Sequence, residues 1–459
     1  MKAIKLRLTI VNFLQFFVWG AWLITIANYW FTTKEWGAAE FGSVFTTLGI
    51  SSLFMPTILG IIADKWINAE KLYGIVHILS GIAVFCLSLV DTPTMFFWVM
   101  LAAMIFYMPT IALTNTISYN ILKDNNYDVV KVFPSIRVWG TIGFIIAMWI
   151  TNLTGSKATV MQFYISSVTS IILGLYSFTL PKCPPPGKNA GKQSFVKMLG
   201  LDAFKLFANY KMAVFFIFSM FLGAALQLTN MYGDVFLDNF RYFKEYASSF
   251  VVERSTIIMS ISQMSETLFI LAIPFFLKKF GIKKVMLMSM IAWVLRFGLF
   301  SYGNPNEGLW MIILSCIIYG MAFDFFNISG SLFVETQVDK SIRGSAQGLF
   351  MMMTNGFGAI MGSFFSGYVI EKFFTLKFNN IVDAASFFGF SPESESFVSI
   401  LKEKQIEVLS DGSFNNTFYF NDWHNIWLTF SLYALVIALL FTILFRHKHN
   451  PDEMTSFQH

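Results

Sequence analysis

Charge is scarce in this chain: only 13% of its 459 residues are Asp, Glu, Lys or Arg, against about 25% in a soluble domain. Cysteine is scarcer. Cys86, Cys183 and Cys316 stand far apart, with no metal-ligand spacing and no basis for a disulfide framework. The sequence has no paired histidines, no HExxH and no Gly-x-Ser-x-Gly, which removes the common signatures of a membrane-embedded hydrolase or transferase. It also lacks the basic cluster that a nucleic-acid partner would need, although the formal net charge is +5. The basic opening MKAIKLRL runs into an apolar stretch that reaches about Phe31 without a small-residue cleavage site. That pattern reads as a first spanning helix rather than a removable leader.

Apolar residues make up 56% of the chain, with 54 Phe and 24 Met. They fall in repeated runs of about 20 residues, the length that crosses a bilayer as a helix. We read twelve spans: 8–30, 42–63, 72–90, 95–119, 135–153, 160–180, 212–233, 252–276, 284–302, 309–332, 345–369 and 425–445. With both termini in the cytoplasm, about 21 of the 32 Lys and Arg fall on the cytoplasmic side and about 9 outside, which sets the orientation. The expected fold class is an all-α polytopic membrane protein with twelve transmembrane helices in two six-helix halves.

The division rests on one long internal loop. Residues 181–211 contain PKCPPPGKNAGKQ and read as a hydrated, semi-rigid linker. They separate an N-terminal half, 1–180, from a C-terminal half, 212–446, which a cytoplasmic tail, 447–459, follows. A second long segment, about 370–424, carries the turn-rich stretches SPESESF and SDGSFNN and reads as an extracytoplasmic surface insertion. The loops after spans 2 and 8 match in place, GIIADKWINAEK and PFFLKKFGIKK. In the first, Gly60, Asp64 and Lys65 resemble the loop signature of the major facilitator superfamily. There an acid at a helix end latches one conformation. The second copy lacks the acid. Folds of this kind place the substrate midway between two repeated halves.

Four ionisable residues interrupt the spans: Arg137, Glu266, Arg296 and Asp324. An ionised group at membrane depth costs roughly 2.5–3.5 kcal/mol or more, so such residues pair, face a cavity and mark a substrate or proton path. Three of them belong to stripes of helical spacing. Span 5 lines up Arg137, Thr141 and Phe144, with Gly140 and Gly143 beside them to permit close helix approach. Span 7 lines up Gln227 and Asn230, with Asp234 further on toward the outer mouth. Span 8 pairs Gln263 with Glu266. Span 10 offers Tyr319, Phe323 and Asp324, with Asn327 a turn beyond. Taken singly, the amides and hydroxyls are as well suited to joining helices as to binding a ligand. Arg296 reads as a structural counter-charge, and His77 as a packed histidine with no nearby partner in sequence. Gln15, Trp19 and Trp22 share a face that would close the cavity. Trp30, Trp36 and Trp423 read as interface anchors, and Asn115 and Tyr119 are weaker site candidates. Amides, two or three ring faces and balanced charge suit a base-plus-sugar molecule, and suit a plain sugar nearly as well.

Longer strings then carry a resemblance. FLQFFVWGAWL (13–23), FPSIRVWGTIGF (133–144), SSFVVERSTIIMSISQMSETLFILAIPFFL (248–277), FDFFNISGSLFVE (323–335) and SAQGLFMMMTNGFG (345–358) resemble the bacterial nucleoside:proton symporters of the major facilitator superfamily, the nucleoside permease and xanthosine permease type. The resemblance implies import of nucleosides with protons across the inner membrane by alternating access. It implies a site on Arg137, Thr141, Phe144, Gln227, Asn230, Gln263, Glu266, Tyr319, Phe323 and Asp324. The expected partners are a nucleoside, protons and the lipid bilayer, for a chain acting as a monomer without cofactor, metal or enzymatic activity. Asp324 is the first choice for the transported proton and Glu266 the second. The segment at 370–424 reads as longer than its counterpart in the family. A proton-coupled sugar symporter is the alternative.

Overall fold

The structure is a computed structural model that describes residues 2–185, 201–339 and 342–447. Within them, ten helices are long and apolar enough to cross a membrane. One of the ten, Ser255–Tyr302, has 48 residues and turns back at Gly281, whose φ of 76° is a backbone state that glycine adopts without strain. It therefore supplies two spans. Met161–Ser177, with 17 residues, adds a further one, which makes twelve. In chain order they are α1 (Lys2–Gly20), α2 (Ala38–Lys65), α3 (Ala69–Leu87), α4 (Pro93–Asp124), α5 (Val129–Leu153), α6 (Met161–Ser177) and α7 (Tyr210–Asp238). Then follow α8 and α9, before and after Gly281, α10 (Leu309–Gln337), α11 (Arg343–Phe374) and α12 (Trp423–Leu444). Polar caps start several of them. Thr92 accepts from Met95 N, with Pro93 at the first helical position, and Asp128 accepts from Lys131 N. Asn209 and Asp422 do the same for α7 and α12. These caps satisfy amide donors that have no partner inside a helix.

The structure departs from the twelve segments in three places. The first span stops being a regular helix after Gly20 and resumes as Ile26–Asn28 and a wider π-helical turn, Tyr29–Thr33. Helical backbone fills most of the stretch expected to be a loop after span 8, with Gly281 as its turning point. Leu201–Ala208 forms a short 3₁₀ segment inside the expected linker; linker residues 186–200 and the tail from 448 lie outside the described residues.

Glycines set the helix approaches. A Cβ at Gly143 would meet the carbonyl oxygen of Phe13 at 2.1 Å, so α1 and α5 come together as the sequence suggests. Between the halves, Gly42, Gly49, Gly356 and Gly367 line a seam where α2 meets α11; a Cβ at Gly42 would lie 2.3 Å from Ser363 O. The seam runs only part of the way. Past Leu53, α2 exposes Phe54 and Ile58, and positions Gly60, Gly344 and Gly348 have nothing within 4 Å. The two halves therefore touch at one face of the molecule and diverge toward the other, where the described N-terminal residues lie.

The touching face carries the segment expected as a surface insertion. It holds a two-stranded antiparallel sheet, β1 (Thr375–Asn380) and β2 (Ser413–Asn421), with Phe378 opposite Phe418. Two short helices, Ile381–Phe388 and Glu395–Glu403, complete it. Phe388, Phe397 and Phe418 are 1%, 0% and 2% exposed, so this is a small aromatic-cored unit. It docks on the end of α7 through Tyr242 and Phe243, which meet Phe388 and Phe420 at ring distances of 5.3–6.2 Å. Trp30 and Trp423, expected as interface anchors, are 0% and 6% exposed. Trp30 donates to Gly37 O at 2.9 Å and Trp423 packs on Tyr232 and Phe236. Aromatic neighbours from distant segments took them into the core.

Candidate functional site

In the N-terminal half, α5 carries Arg137, Thr141 and Phe144. The guanidinium carbon of Arg137 sits 4.0 Å from the centre of the Phe16 ring. Such a cation–π contact is strengthened by desolvation. Phe144 is 9% exposed and meets the edge of Trp19 at 6.4 Å. Thr141 is half-buried. Trp19 therefore packs beside Phe144. Gln15 and Trp22, expected on the same face, are 0% and 1% exposed and belong to the interior of the half.

In the C-terminal half, one residue gathers three helices. Arg296 of α9 donates to Thr229 Oγ1 of α7 at 3.2 Å, to Ser262 Oγ of α8 at 3.4 Å and to Ser315 O of α10 at 2.7 Å. Those three acceptors are close in sequence to the candidate residues, so α7, α8 and α10 meet at the level of Gln227, Asn230, Gln263, Glu266, Tyr319, Phe323 and Asp324. Tyr319 stacks on Phe323 with ring centres 6.0 Å apart and planes 9° from parallel. Glu266 lies within electrostatic reach of Arg137 on the other half and of Asp324 on its own. Tyr319 is within reach of both acids.

Three buried acceptors in this group, Gln227 Oε1, Gln263 Oε1 and Asp324 Oδ2, have no hydrogen-bond partner among the described residues. An orphaned buried acceptor costs about 1–3 kcal/mol, and three near one another call for a ligand rich in O–H or N–H donors. In the N-terminal half a buried donor beside Phe144, Trp19 Nε1, likewise has no partner among the described residues. Phe323 also lines, with Trp293, Asn327 and Thr354, a narrow void of about 20 Å³, room for a single water.

Other expectations land elsewhere. Asp234 is fully buried at the touching face, where its Oδ2 accepts from Asn28 Nδ2 of the opposite half. Gly60, Asp64 and Lys65 end α2 on the diverging side; both charged residues are exposed and Gly60 has open space around it. Tyr119 is 37% exposed and packs on Phe133, and Asn115 is half-buried. His77 is packed, as expected, but it has partners. Its Nε2 is 2.9 Å from Gln15 Oε1, and Gln15 also takes bonds from Tyr73 and Thr114 and donates to Thr110. Arg296, expected as a counter-charge, has no carboxylate within ion-pair distance among the described residues. It is held by neutral acceptors.

Sequence reasoning missed the residues that join the halves. Lys157, between α5 and α6, forms an ion pair with Asp238 at 2.6 Å and donates to Val252 O and Ser255 Oγ. Arg241 shares Asp238. Glu371 accepts from Ala39 N at 2.8 Å, a carboxylate from one half satisfying the N-terminus of a helix in the other. Lys404 donates to Phe31 O at 3.1 Å. No local pattern marks them, because each partner lies far along the chain.

Twelve spans in two halves that touch at one face, around a mid-depth set of acids, amides and rings, define a major facilitator transporter. A family profile described as Nucleoside H+ symporter matches residues 1–450, and the chain belongs to that family. It is 47% identical to the nucleoside permease NupG of Escherichia coli strain K12 and 46% identical to the xanthosine permease of the same organism. The alignments cover 97% of both chains for the first and 98% for the second. A crystal structure of NupG, solved as an aspartate-to-alanine mutant, superposes with a TM-score of 0.85 at 46% identity, covering 96% of this chain and 100% of that one. The family is one of transporters, so no enzymatic role is assigned.

Proposed function

We propose that this chain imports nucleosides together with protons across the inner membrane of a bacterium, acting as a monomer with both termini in the cytoplasm. The observation that carries the reading is the set of orphaned acceptors, Gln227 Oε1, Gln263 Oε1 and Asp324 Oδ2, beside the stacked rings of Tyr319 and Phe323. Ribose hydroxyls are donors of the required kind, and a nucleobase offers a flat face to Phe144 and Phe323. Gln227, Asn230, Gln263 and a carboxylate hold the sugar, while Arg137 and Thr141 reach the base from the N-terminal half. The working units are the halves 1–180 and 212–446, joined by the linker 181–211 and followed by the tail 447–459.

Charge bookkeeping separates the two acids. Glu266 has a cation, Arg137, within reach; the charge that acts on Asp324 is Glu266, another acid. Two carboxylates and one guanidinium in low dielectric favour holding one proton, and Asp324 is the site assigned to it, with Glu266 as its partner. In this orientation the touching face is periplasmic and the molecule is open to the cytoplasm. Gly60, Asp64 and Lys65 then act in the opposite state, when the cytoplasmic ends close and an acid at the end of α2 gains a partner.

Counterflow of labelled uridine into proteoliposomes tests the reading, with free ribose and a galactoside as competitors. Saturable exchange, blocked by unlabelled nucleosides and indifferent to the sugars, is expected. Exchange blocked by a galactoside instead would assign the chain a sugar substrate.

A further inference from the structure

The mechanism above leaves Arg296 unused, although it is fully buried and an uncompensated guanidinium in an apolar interior is costly. The compensation it has is directional. Nε donates to Thr229, Nη1 to Ser315 O, and Nη1 and Nη2 share Ser262. Ser315 returns a bond to the backbone carbonyl of Arg296 at 2.9 Å. The remaining stabilisation comes from ring faces: the guanidinium carbon is 4.6 Å from the centre of Tyr319 and 5.1 Å from that of Phe300. Tyr319 is held on its other sides by the edge of Trp293 at 6.0 Å and by the parallel ring of Phe323. A continuous ladder thus runs from Arg296 through Tyr319 to Phe323.

We propose that Arg296 is a positioning residue of the substrate site, which fixes the Tyr319–Phe323 wall by holding the Tyr319 ring, its guanidinium aimed there by its bonds to α7, α8 and α10. The proposal rests on the nucleoside reading in one respect, that these two rings touch the substrate. A planar fork is needed because three acceptors and a ring face must be met from one group. A lysine would carry the same charge but could neither stack on the ring nor bond to all three helices.

Arg296→Lys tests this. Equilibrium binding of uridine to the purified protein should weaken about three- to tenfold, the scale of a desolvated cation–π contact, with turnover at saturation within about twofold of wild type. In a Tyr319→Ala background the same substitution should add almost nothing, because its effect passes through that ring. Unchanged uridine affinity in Arg296→Lys, or a loss that adds in full to that of Tyr319→Ala, overturns the proposal. Should Arg296→Lys fail to assemble, Thr229→Val removes only the acceptor of Nε; a loss of about two- to threefold with the same non-additivity is then expected, and no loss, or full additivity, overturns it. Wild-type protein that binds no nucleoside overturns the nucleoside reading and this proposal with it. Normal wild-type binding with an indifferent Arg296→Lys overturns the proposal alone.

Discussion

The two halves solve the same packing problem with different chemistry. At the centre of the N-terminal half a neutral network fills the space between α1, α3 and α4. Gln15 Oε1 accepts from Tyr73 at 2.7 Å, from His77 Nε2 at 2.9 Å and from Thr114 at 3.1 Å, while Gln15 Nε2 donates to Thr110 at 2.8 Å. An acceptor-only carbonyl on Nε2 places a ring proton there, and Nδ1 lies 3.0 Å from Ser170 Oγ, whose hydroxyl also reaches His77 O at 2.8 Å. At the corresponding place in the C-terminal half the third helix contributes Arg296, a permanent cation. Both acids of the proposed site, Glu266 and Asp324, also lie in the C-terminal half, whereas the N-terminal half supplies a single charge to it, Arg137. The N-terminal half is therefore a neutral frame with one cationic contact, and the C-terminal half holds both acids proposed to carry the proton.

That contrast can be broken by substitution. The largest effect is expected for Asp324→Asn, which should abolish accumulation of uridine driven by an imposed pH gradient, by about two orders of magnitude, while leaving counterflow exchange measurable. Retained accumulation would move the coupling group to Glu266. Arg137→Gln, on the other half, should raise the KM for uridine about tenfold or more, the loss of a charge-assisted contact, without uncoupling protons from transport. The neutral frame should respond differently. His77→Phe and Gln15→Leu should cost about 1–2 kcal/mol of stability, a few membrane hydrogen bonds' worth, read as a lower thermal midpoint with KM nearly unchanged. A raised KM without loss of stability would place the network in the site and erase the contrast. The smallest effect concerns the end of the frame. Cys183 is 2% exposed, and burial, with the nearby Glu70 and Asp124 carboxylates adding to it, pushes its thiol up to about 12. Its thiolate is thus disfavoured at all pH values below that. Maleimide labelling at pH 8 should be slow in the folded protein and rapid after denaturation; fast labelling of the folded form would show that this corner, where Glu70 accepts from Cys183 N at 2.8 Å, is open.

Much of the candidate site was legible because a bilayer makes polar residues conspicuous. Arg137, Glu266 and Asp324 stand out against apolar runs, and helical spacing attaches Thr141, Gln263, Tyr319 and Phe323 to them. The same logic failed where two residues look alike in sequence and differ only in what surrounds them. Gln15 and Gln227 are both lone amides on apolar helices; the first is consumed by four partners inside one half, while the second keeps an orphaned oxygen. Trp30 and Trp36 sit at a span end as interface anchors do, yet rings from α2 and α4 enclose Trp30 completely. Lys157 and Asp238 carry ordinary loop and helix-end charges until folding places them 2.6 Å apart.

By itself the sequence determined that the chain crosses the membrane twelve times, in which segments, and which side chains are too costly to bury without a purpose. It did so because span length and desolvation are local properties, written within about 20 residues. Only the tertiary structure decided which polar groups are satisfied and which are left waiting, which face of the molecule is shut, and that Arg296 is held by two hydroxyls, a backbone carbonyl and ring faces rather than by an acid. Those outcomes depend on partners tens to hundreds of residues away, and no local pattern encodes who the neighbour will be.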